Sequence, residues 1–217
     1  MNISQVHLMS AHVDIRLNQS TIRENREYGM AGQVGGNTTG GVGYRHAQSG
    51  QFAAHMLSLP RRNMCPLRSA FDPAQIPDLL PRIILRERDD AGVYKFRLVG
   101  TELQEYFGRK VVGLPIAAGM GEQAAQAMKV AFDRMIEHPC GLRCVMDIVL
   151  NLDQMAKVEV VYFPFAGASP PQQISHSAIL ERPVFVDITD TSTIGKLHEI
   201  EGIDLGAGLP DLSDISW

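Results

Sequence analysis

The sequence predicts an α+β domain: a five-stranded antiparallel sheet with helices packed on one face. Two strand-like runs, 82–88 and 93–99, are joined by the turn residues Asp-Asp-Ala-Gly, which is a hairpin signal. A long amphipathic helix is predicted over Glu122–Glu137, and three further runs of alternating apolar residues follow it. Because short turns join neighbouring strands that run in opposite directions, we expect these strands to pair antiparallel.

The domain is expected to begin with a short helix over residues 51–59. Phe52, Met56 and Leu59 recur at spacings of four and three, so they share one face of that helix. Pro60 ends it, because proline cannot donate the next helical hydrogen bond.

A helical turn is predicted at 73–80, before the hairpin. Asp72 is its expected N-cap, and Pro73 occupies the first helical position. After the hairpin, Thr101 and Gln104 have the spacing of a capping box. Gly108 is suited to the left-handed residue that ends the helix they begin.

The long helix carries one apolar stripe, and three strands follow it. The stripe consists of residues spaced three and four apart: Ala125, Met128, Phe132 and Met135. The strands are expected at 142–150, 157–165 and 173–181. In the last of them, alternation places His176 on an apolar face together with Ile174, Ala178 and Leu180.

The two ends of the chain differ in composition from the domain, which we assign to residues 51–186. Residues 1–50 are expected to be a flexible segment, since its last part, 29–50, is a linker with eight glycines among polar residues. Residues 187–217 form an acidic tail with seven Asp or Glu and one Lys. The tail is also rich in apolar residues, so we expect part of it to dock on the domain or on a partner, anchored by Trp217.

Composition excludes several classes of protein. The net charge is −4, and the basic residues form no cluster of the kind that binds nucleic acid. The sequence has no apolar run of about 18 residues to span a membrane and no basic start followed by an apolar block to direct secretion. Three cysteines suit a reducing compartment. A cytoplasmic location is therefore predicted.

Neither an enzyme motif nor a metal site is predicted. The chain has no dinucleotide-binding glycine pattern, phosphate-binding loop or nucleophile elbow. His138, Cys140 and Cys144 offer soft metal ligands. On one strand, however, the Cα atoms of the two cysteines would lie about 13 Å apart, too far for one zinc ion.

Several stretches resemble a known family. The run Phe-Arg-Leu-Val-Gly-Thr at 96–101 enters a helix and is followed by Phe-Gly-Arg and Val-Gly-Leu-Pro. Upstream, Pro-Leu-Arg-Ser-Ala-Phe-Asp-Pro at 66–73 and Ile-Pro-Asp-Leu-Leu-Pro at 76–81 look like the entry segment of the same family. Over roughly residues 58–185, the chain resembles the small bacterial PAS-domain proteins. The resemblance implies a sensory or regulatory fold.

The resemblance also bears on cofactors. Flavin photochemistry in PAS proteins needs a cysteine in the helix after the second strand, and residues 102–108 contain none. Haem-binding PAS domains use a histidine on or near the long helix, where only His138 is available, at the end beside Pro139. No flavin or haem is therefore expected.

What remains is an apolar ligand pocket between the sheet and the long helix. Methionine side chains would make such a pocket adaptable. Alternatively, the same residues fill a solid core, and His176 is a core histidine with a backbone partner. The candidate pocket residues are Phe96, Leu98, Leu103, Phe107, Met128, Phe132, Met135, Met146, Phe163 and His176.

PAS domains commonly pair through an N-terminal helix and the outer sheet face, so the resemblance implies a homodimer. The expected interface comprises Phe52, Met56 and Leu59 with the strand residues Val145, Val149 and Val161.

Two functions remain open, and a third, an enzyme acting in the pocket, lacks a paired acid and base in this sequence. One is a sensor that binds a small apolar or amphipathic molecule and shifts a conformational population. The other is an adaptor with a solid core that acts through protein contacts alone. Arg97 is either a solvated charge or an anchor for an acidic residue of a partner protein.

Overall fold

A seven-stranded antiparallel sheet forms the centre of the fold. The computed structural model describes residues 37–39, 41–108, 110–150, 154–185 and 196–217, all within one unit, Val34–Trp217. The predicted α+β class and the antiparallel pairing are confirmed. The rest of the predicted N-terminal segment, residues 1–36 and 40, lies outside the described residues.

The α-helices of the described residues are α1 (Ala47–Ser58), α2 (Thr101–Phe107), α3 (Ala117–Met120) and α4 (Glu122–Glu137). Three 3₁₀ helices, Arg68–Ala70, Pro73–Gln75 and Pro77–Arg82, lie between α1 and the hairpin. The long helix has the predicted bounds. The first helix begins four residues earlier than predicted, because the His46 ring caps it by accepting the Gln48 N–H at 3.2 Å.

The strands described are β1 (Asn37–Thr39), β2 (Val42–Tyr44), β3 (Arg61–Arg62), β4 (Cys65–Pro66), β5 (Ile83–Arg88), β6 (Tyr94–Val99), β7 (Cys140–Leu150), β8 (Gln154–Pro164), β9 (Gln172–Ile179), β10 (Val184–Phe185) and β11 (Leu197–Asp204). The main sheet has the order β11-β7-β8-β9-β5-β6, with β10 beside the first residues of β8. The five predicted strands correspond to β5 to β9. The pairs β1–β2 and β3–β4 are separate small sheets.

Turn chemistry agrees with the prediction at most positions. The Asp72 side chain accepts the Ala74 N–H at 3.0 Å, and Gly108 takes a left-handed conformation with φ of 59°. The N-cap of α2 is Gly100 rather than Thr101, and the Gln104 amide instead donates to the Val99 carbonyl at 2.7 Å.

The sheet extends into the region assigned to the acidic tail. β11 pairs with β7, from Glu199 opposite Val145 to Asp204 opposite Cys140, and Ile203 is fully buried. The apolar residues of the tail thus complete the sheet, and the packed unit exceeds the predicted bounds 51–186 at both ends. Residues 186–195 lie outside the described part of the chain.

Helices cover both faces of the sheet, not one as predicted. We name the faces after the helices that cover them. The α4 face packs against α2, α3 and α4, and its core includes Phe96, Met128 and Phe132. The α1 face packs against α1 and the 3₁₀ segments, and its core includes Phe52 and Phe163.

Candidate functional site

Most of the predicted pocket residues meet on the α4 face. Phe132 is central to them: its ring centroid lies 5.2 Å from that of Tyr94 and 5.2 Å from that of Tyr162. Phe107 is partly buried, with its ring 5.7 Å from Phe96. The predicted residues that are buried on this face are Phe96, Leu103, Met128, Phe132, Met135 and Met146.

Leu98 does not belong to this group, contrary to the prediction. The pairing of β5 with β6 shifts from Leu85 opposite Leu98 to Arg86 opposite Phe96, which leaves Arg97 as an extra residue. Simple alternation fails across such a bulge. As a result Leu98 is 50% exposed.

Phe163 and His176 are buried on the α1 face, so their assignment to the pocket is also wrong. Phe163 lies in the core beneath α1, and the His176 ring stacks on Phe52 at 5.7 Å. Alternation grouped His176 with Ile174 and Ala178 correctly. Helices cover both faces of the sheet, so the alternation of apolar residues does not show which helix covers that group.

The sequence interpretation missed a buried arginine on the α4 face. Arg86 is 2% exposed, and its Nη1 donates a 2.7 Å hydrogen bond to Ser175 Oγ. Its guanidinium carbon lies 5.4 Å from the Tyr162 ring centroid, 5.6 Å from Phe96 and 5.8 Å from Phe132. Burial lowers the pKa of Arg86. The sequence did contain a signal for this residue. Arg86 follows the core residue Ile84 by two positions, and residues two apart on a strand lie on the same face of the sheet.

Gln173, on β9, is the cross-strand partner of Arg86. It is 1% exposed, and both its amide nitrogen and its amide oxygen are buried without a hydrogen-bond partner. The Nε of Arg86 is buried and unpartnered as well. Polar atoms in this state are rare in folded proteins, since each one costs desolvation energy that no bond offsets.

The α1 face carries its own buried polar atoms. Both ring nitrogens of His176 and the Oγ of Ser49 lack partners. Burial, followed by the nearby charges of Arg82 and His46, lowers the pKa of His176 to about 3. The ring is therefore neutral at physiological pH.

The predicted dimer interface is largely covered by the chain itself. Phe52 and Met56 are fully buried and Leu59 is 8% exposed, because α1 folds back onto its own sheet. Val145 and Val161 are fully buried too. These residues cannot contact a second subunit in this conformation, and the interface assigned to them is corrected accordingly.

Arg97 and Trp217, the other two interface candidates, have different environments. The Arg97 side chain is 66% exposed, with its Nε 3.9 Å from Glu87 Oε2. Trp217 is partly buried and packs against the core of the α4 face. The tail before it is fixed by Arg134, whose Nη2 donates to Asp214 Oδ2 at 2.6 Å. A groove of about 280 Å³ lies between that tail and the end of α4.

Cys140 and Cys144 both lie on β7 and are fully buried. Burial raises the pKa of each thiol to about 12. Across the described ranges, no group of three or more His, Cys, Asp or Glu side chains is arranged to hold a metal ion.

A comparison with known proteins agrees with this architecture. A family model described as a PAS domain matches residues 44–178, which span β2 to β9 and include both Arg86 and Gln173. No curated protein matches the chain. Among the helices that the structure describes, none is both long and apolar enough to cross a membrane. The match covers more than half of the sequence, and the chain therefore belongs to the PAS domain family.

Proposed function

We propose that this PAS protein is a sensory or regulatory protein that binds a small amphipathic molecule on the α4 face of its sheet. The observation that carries the proposal is the Gln173 side chain, whose amide is fully buried without any hydrogen-bond partner. A bound molecule with a hydrogen-bond acceptor would supply a partner for the amide nitrogen. Met128, Met135 and Met146 belong to the core of the same face, and the adaptable methionine side chains would accommodate its apolar part.

We further propose that the protein acts by binding rather than by catalysis, and that it works in the cytoplasm. The three cysteines are free thiols, which supports a reducing compartment. In this mechanism the ligand binds one of two conformations more tightly and shifts the population toward it. The size of the shift depends on the difference in affinity for the two conformations.

Native mass spectrometry of the full chain, purified from its own host, tests the proposal. We expect a small molecule that co-purifies and is released on denaturation. Gln173→Leu should reduce its occupancy. His176→Phe is the matched control, because it also replaces a buried unpartnered side chain of β9 but on the α1 face. A molecule retained by Gln173→Leu and lost from His176→Phe would move the site to the α1 face.

The second candidate is the adaptor, which has a solid core and acts through protein contacts. Phe185, on β10, favours it: the side chain is 78% exposed beside Val184 at 55%. Contiguous exposed apolar surface marks contact sites when it is extensive, and this pair would form part of such a surface. Sedimentation over a concentration series should then show a homodimer that Phe185→Ser dissociates and Leu209→Ser, on another exposed apolar residue, does not. Ligand-free protein in the mass spectra, together with such a dimer, would favour the adaptor.

A further inference from the structure

Among the described residues, three buried arginines differ in how their charge is compensated. Arg82 forms two 2.7 Å hydrogen bonds with the Glu102 carboxylate, and Arg143 lies 2.6 Å from Glu159. Arg86 is as deeply buried as Arg143, yet no carboxylate among the described residues pairs with it. An unpaired charge in a protein interior is costly, and proteins rarely keep one without a compensating group.

Aromatic rings surround Arg86 without neutralising it. Tyr162, Phe96 and Phe132 attract the cation through their ring faces. A guanidinium has five N–H donors, and Ser175 accepts from one of them, on Nη1. The Nε donor has no acceptor. The Nε edge of a guanidinium is one that a carboxylate binds with two parallel hydrogen bonds.

Gln173 supplies a second donor close by. Residues directly opposite each other on antiparallel strands have Cβ atoms about 5 Å apart on the same face, and Gln173 is opposite Arg86. Its amide nitrogen is buried and unpartnered like the arginine Nε. The two side chains thus present unused donors to one small region of the α4 face.

We infer that Arg86 and Gln173 form a binding site for the carboxylate of an amphipathic small molecule. The inference rests on the proposed ligand-binding function and adds the chemical class of the ligand. The carboxylate accepts from the Arg86 guanidinium and the Gln173 amide, while the hydrocarbon part lies among the aromatic rings and methionines of the same face.

Charge balance favours a carboxylate over a phosphate dianion. Arg86 compensates one negative charge. The next arginine on that strand, Arg88, already lies 3.2 Å from Asp133. A dianion would therefore remain partly uncompensated in a buried region.

Two ligand pairs test the inference on the full chain: octanoate against octanamide, and benzoate against benzamide. Each pair differs mainly in charge. By calorimetry, we expect the wild type to bind the better carboxylate about tenfold or more tightly than its amide, since the hydrogen bonds involve charged partners. Arg86→Met should abolish that preference. Arg97→Met, which removes an exposed arginine of the neighbouring strand, should preserve it.

A second measurement does not depend on the shape of the ligand. The Nε–H resonance of Arg86, assigned by its absence from Arg86→Met, should shift when the wild type stripped of ligand is titrated with acetate. If that resonance does not move, the carboxylate site is overturned whatever the larger ligands do. The stripped Arg86→Met variant should also melt at a higher temperature than the stripped wild type, because an uncompensated buried charge is gone.

The outcomes separate the two proposals. Equal binding of amide and carboxylate by both the wild type and Arg86→Met would leave the ligand-binding function standing and overturn the carboxylate. A protein with no co-purifying molecule, no binding of any of the four compounds and no acetate shift would overturn both.

Discussion

Arg143 and Glu159 form a buried ion pair that joins three parts of the fold. The Arg143 Nε lies 2.6 Å from Glu159 Oε1, and the two side chains are 2% and 0% exposed. The same carboxylate accepts the backbone N–H groups of Arg45 and His46, each at 2.9 Å. One acidic side chain of β8 thereby fixes an arginine of β7 and the residues that begin α1.

Glu159→Gln should destabilise the protein strongly, because it removes the fully buried carboxylate of Arg143 and leaves Glu199, 31% exposed and 2.9 Å from Arg143 Nη1, as the remaining close counter-charge. We expect a loss of about 3–5 kcal/mol in the free energy of unfolding, measured in urea. Glu201→Gln is the control, since Glu201 is 48% exposed and lies 3.5 Å from the same arginine. It should cost less than about 1 kcal/mol. Equal losses would show that burial adds nothing to the pair.

Phe52→Ala should lower stability rather than change the oligomeric state. Phe52 is fully buried, with its ring 6.0 Å from that of Phe163. Removing a buried phenyl group costs about 3–5 kcal/mol. Gln51→Ala, at an exposed position of the same helix, should be nearly neutral. Light scattering on both variants completes the test. If Phe52→Ala is as stable as the wild type but has a different molecular mass in solution, then Phe52 contributes to a subunit interface.

Phe52 also shows how far sequence reasoning reached. Its spacing with Met56 and Leu59 predicted the helix and the apolar stripe. Periodicity shows only that a stripe is covered, and not whether a partner or the chain's own sheet covers it. The long helix and the β5–β6 hairpin were predictable because their signals are local: periodicity, turn residues and proline boundaries.

Features that depend on pairing between distant residues were not predictable in the same way. β11 pairs with β7 across more than fifty residues of sequence, and the bulge at Arg97 is visible only in the β5–β6 register. The prediction of the candidate site was incomplete in part for the same reason. Six pocket residues were found as apolar residues of predicted helices and strands, whereas Arg86 and Gln173 look like ordinary solvent-facing residues until a helix is placed above them.

His176 should make the fold sensitive to acid. Its pKa is about 3 in the folded protein, below the ordinary value of 6.5, so the unfolded chain binds the proton more readily. The stabilising effect of the neutral ring is present above pH 6.5 and is lost as the pH falls toward 3. At pH 5 the loss should reach about 2 kcal/mol relative to pH 7.

His176→Phe isolates this contribution. His46 and His55 also have lowered pKa values owing to burial, but they remain in both proteins and cancel in the comparison. The difference in unfolding free energy between wild type and His176→Phe should therefore change between pH 7 and pH 5. If the difference in unfolding free energy does not depend on pH, then the His176 ring is protonated as easily in the folded state as in the unfolded state.

Ile203→Ala should weaken the whole domain and not only its C-terminal tail. Ile203 is fully buried on the α1 face, although it belongs to the edge strand β11. The expected cost is about 2–5 kcal/mol, with a single unfolding transition. Leu209→Ala is the control, because Leu209 lies in the same tail at 52% exposure. Separate transitions for tail and sheet would contradict the integration of β11 into the domain.

Gly100→Ala should be among the most damaging single substitutions outside the candidate site. A Cβ atom at this position would lie less than 3.0 Å from the backbone carbonyl oxygens of Leu80 and Pro81. The Gly100 N–H also donates to the Ile83 carbonyl at 2.7 Å, so the residue cannot move away without breaking that bond. We expect a loss of more than about 4 kcal/mol in the free energy of unfolding.

The matched control is Gly43→Ala, since a Cβ atom there would meet nothing within 4 Å and the φ of Gly43 is not positive. It should be neutral or slightly stabilising by chain entropy. If Gly100→Ala unfolds at the same urea concentration as the wild type, then the 3₁₀ segment before β5 can shift, and its contact with α2 is looser than the close approach at Gly100 indicates.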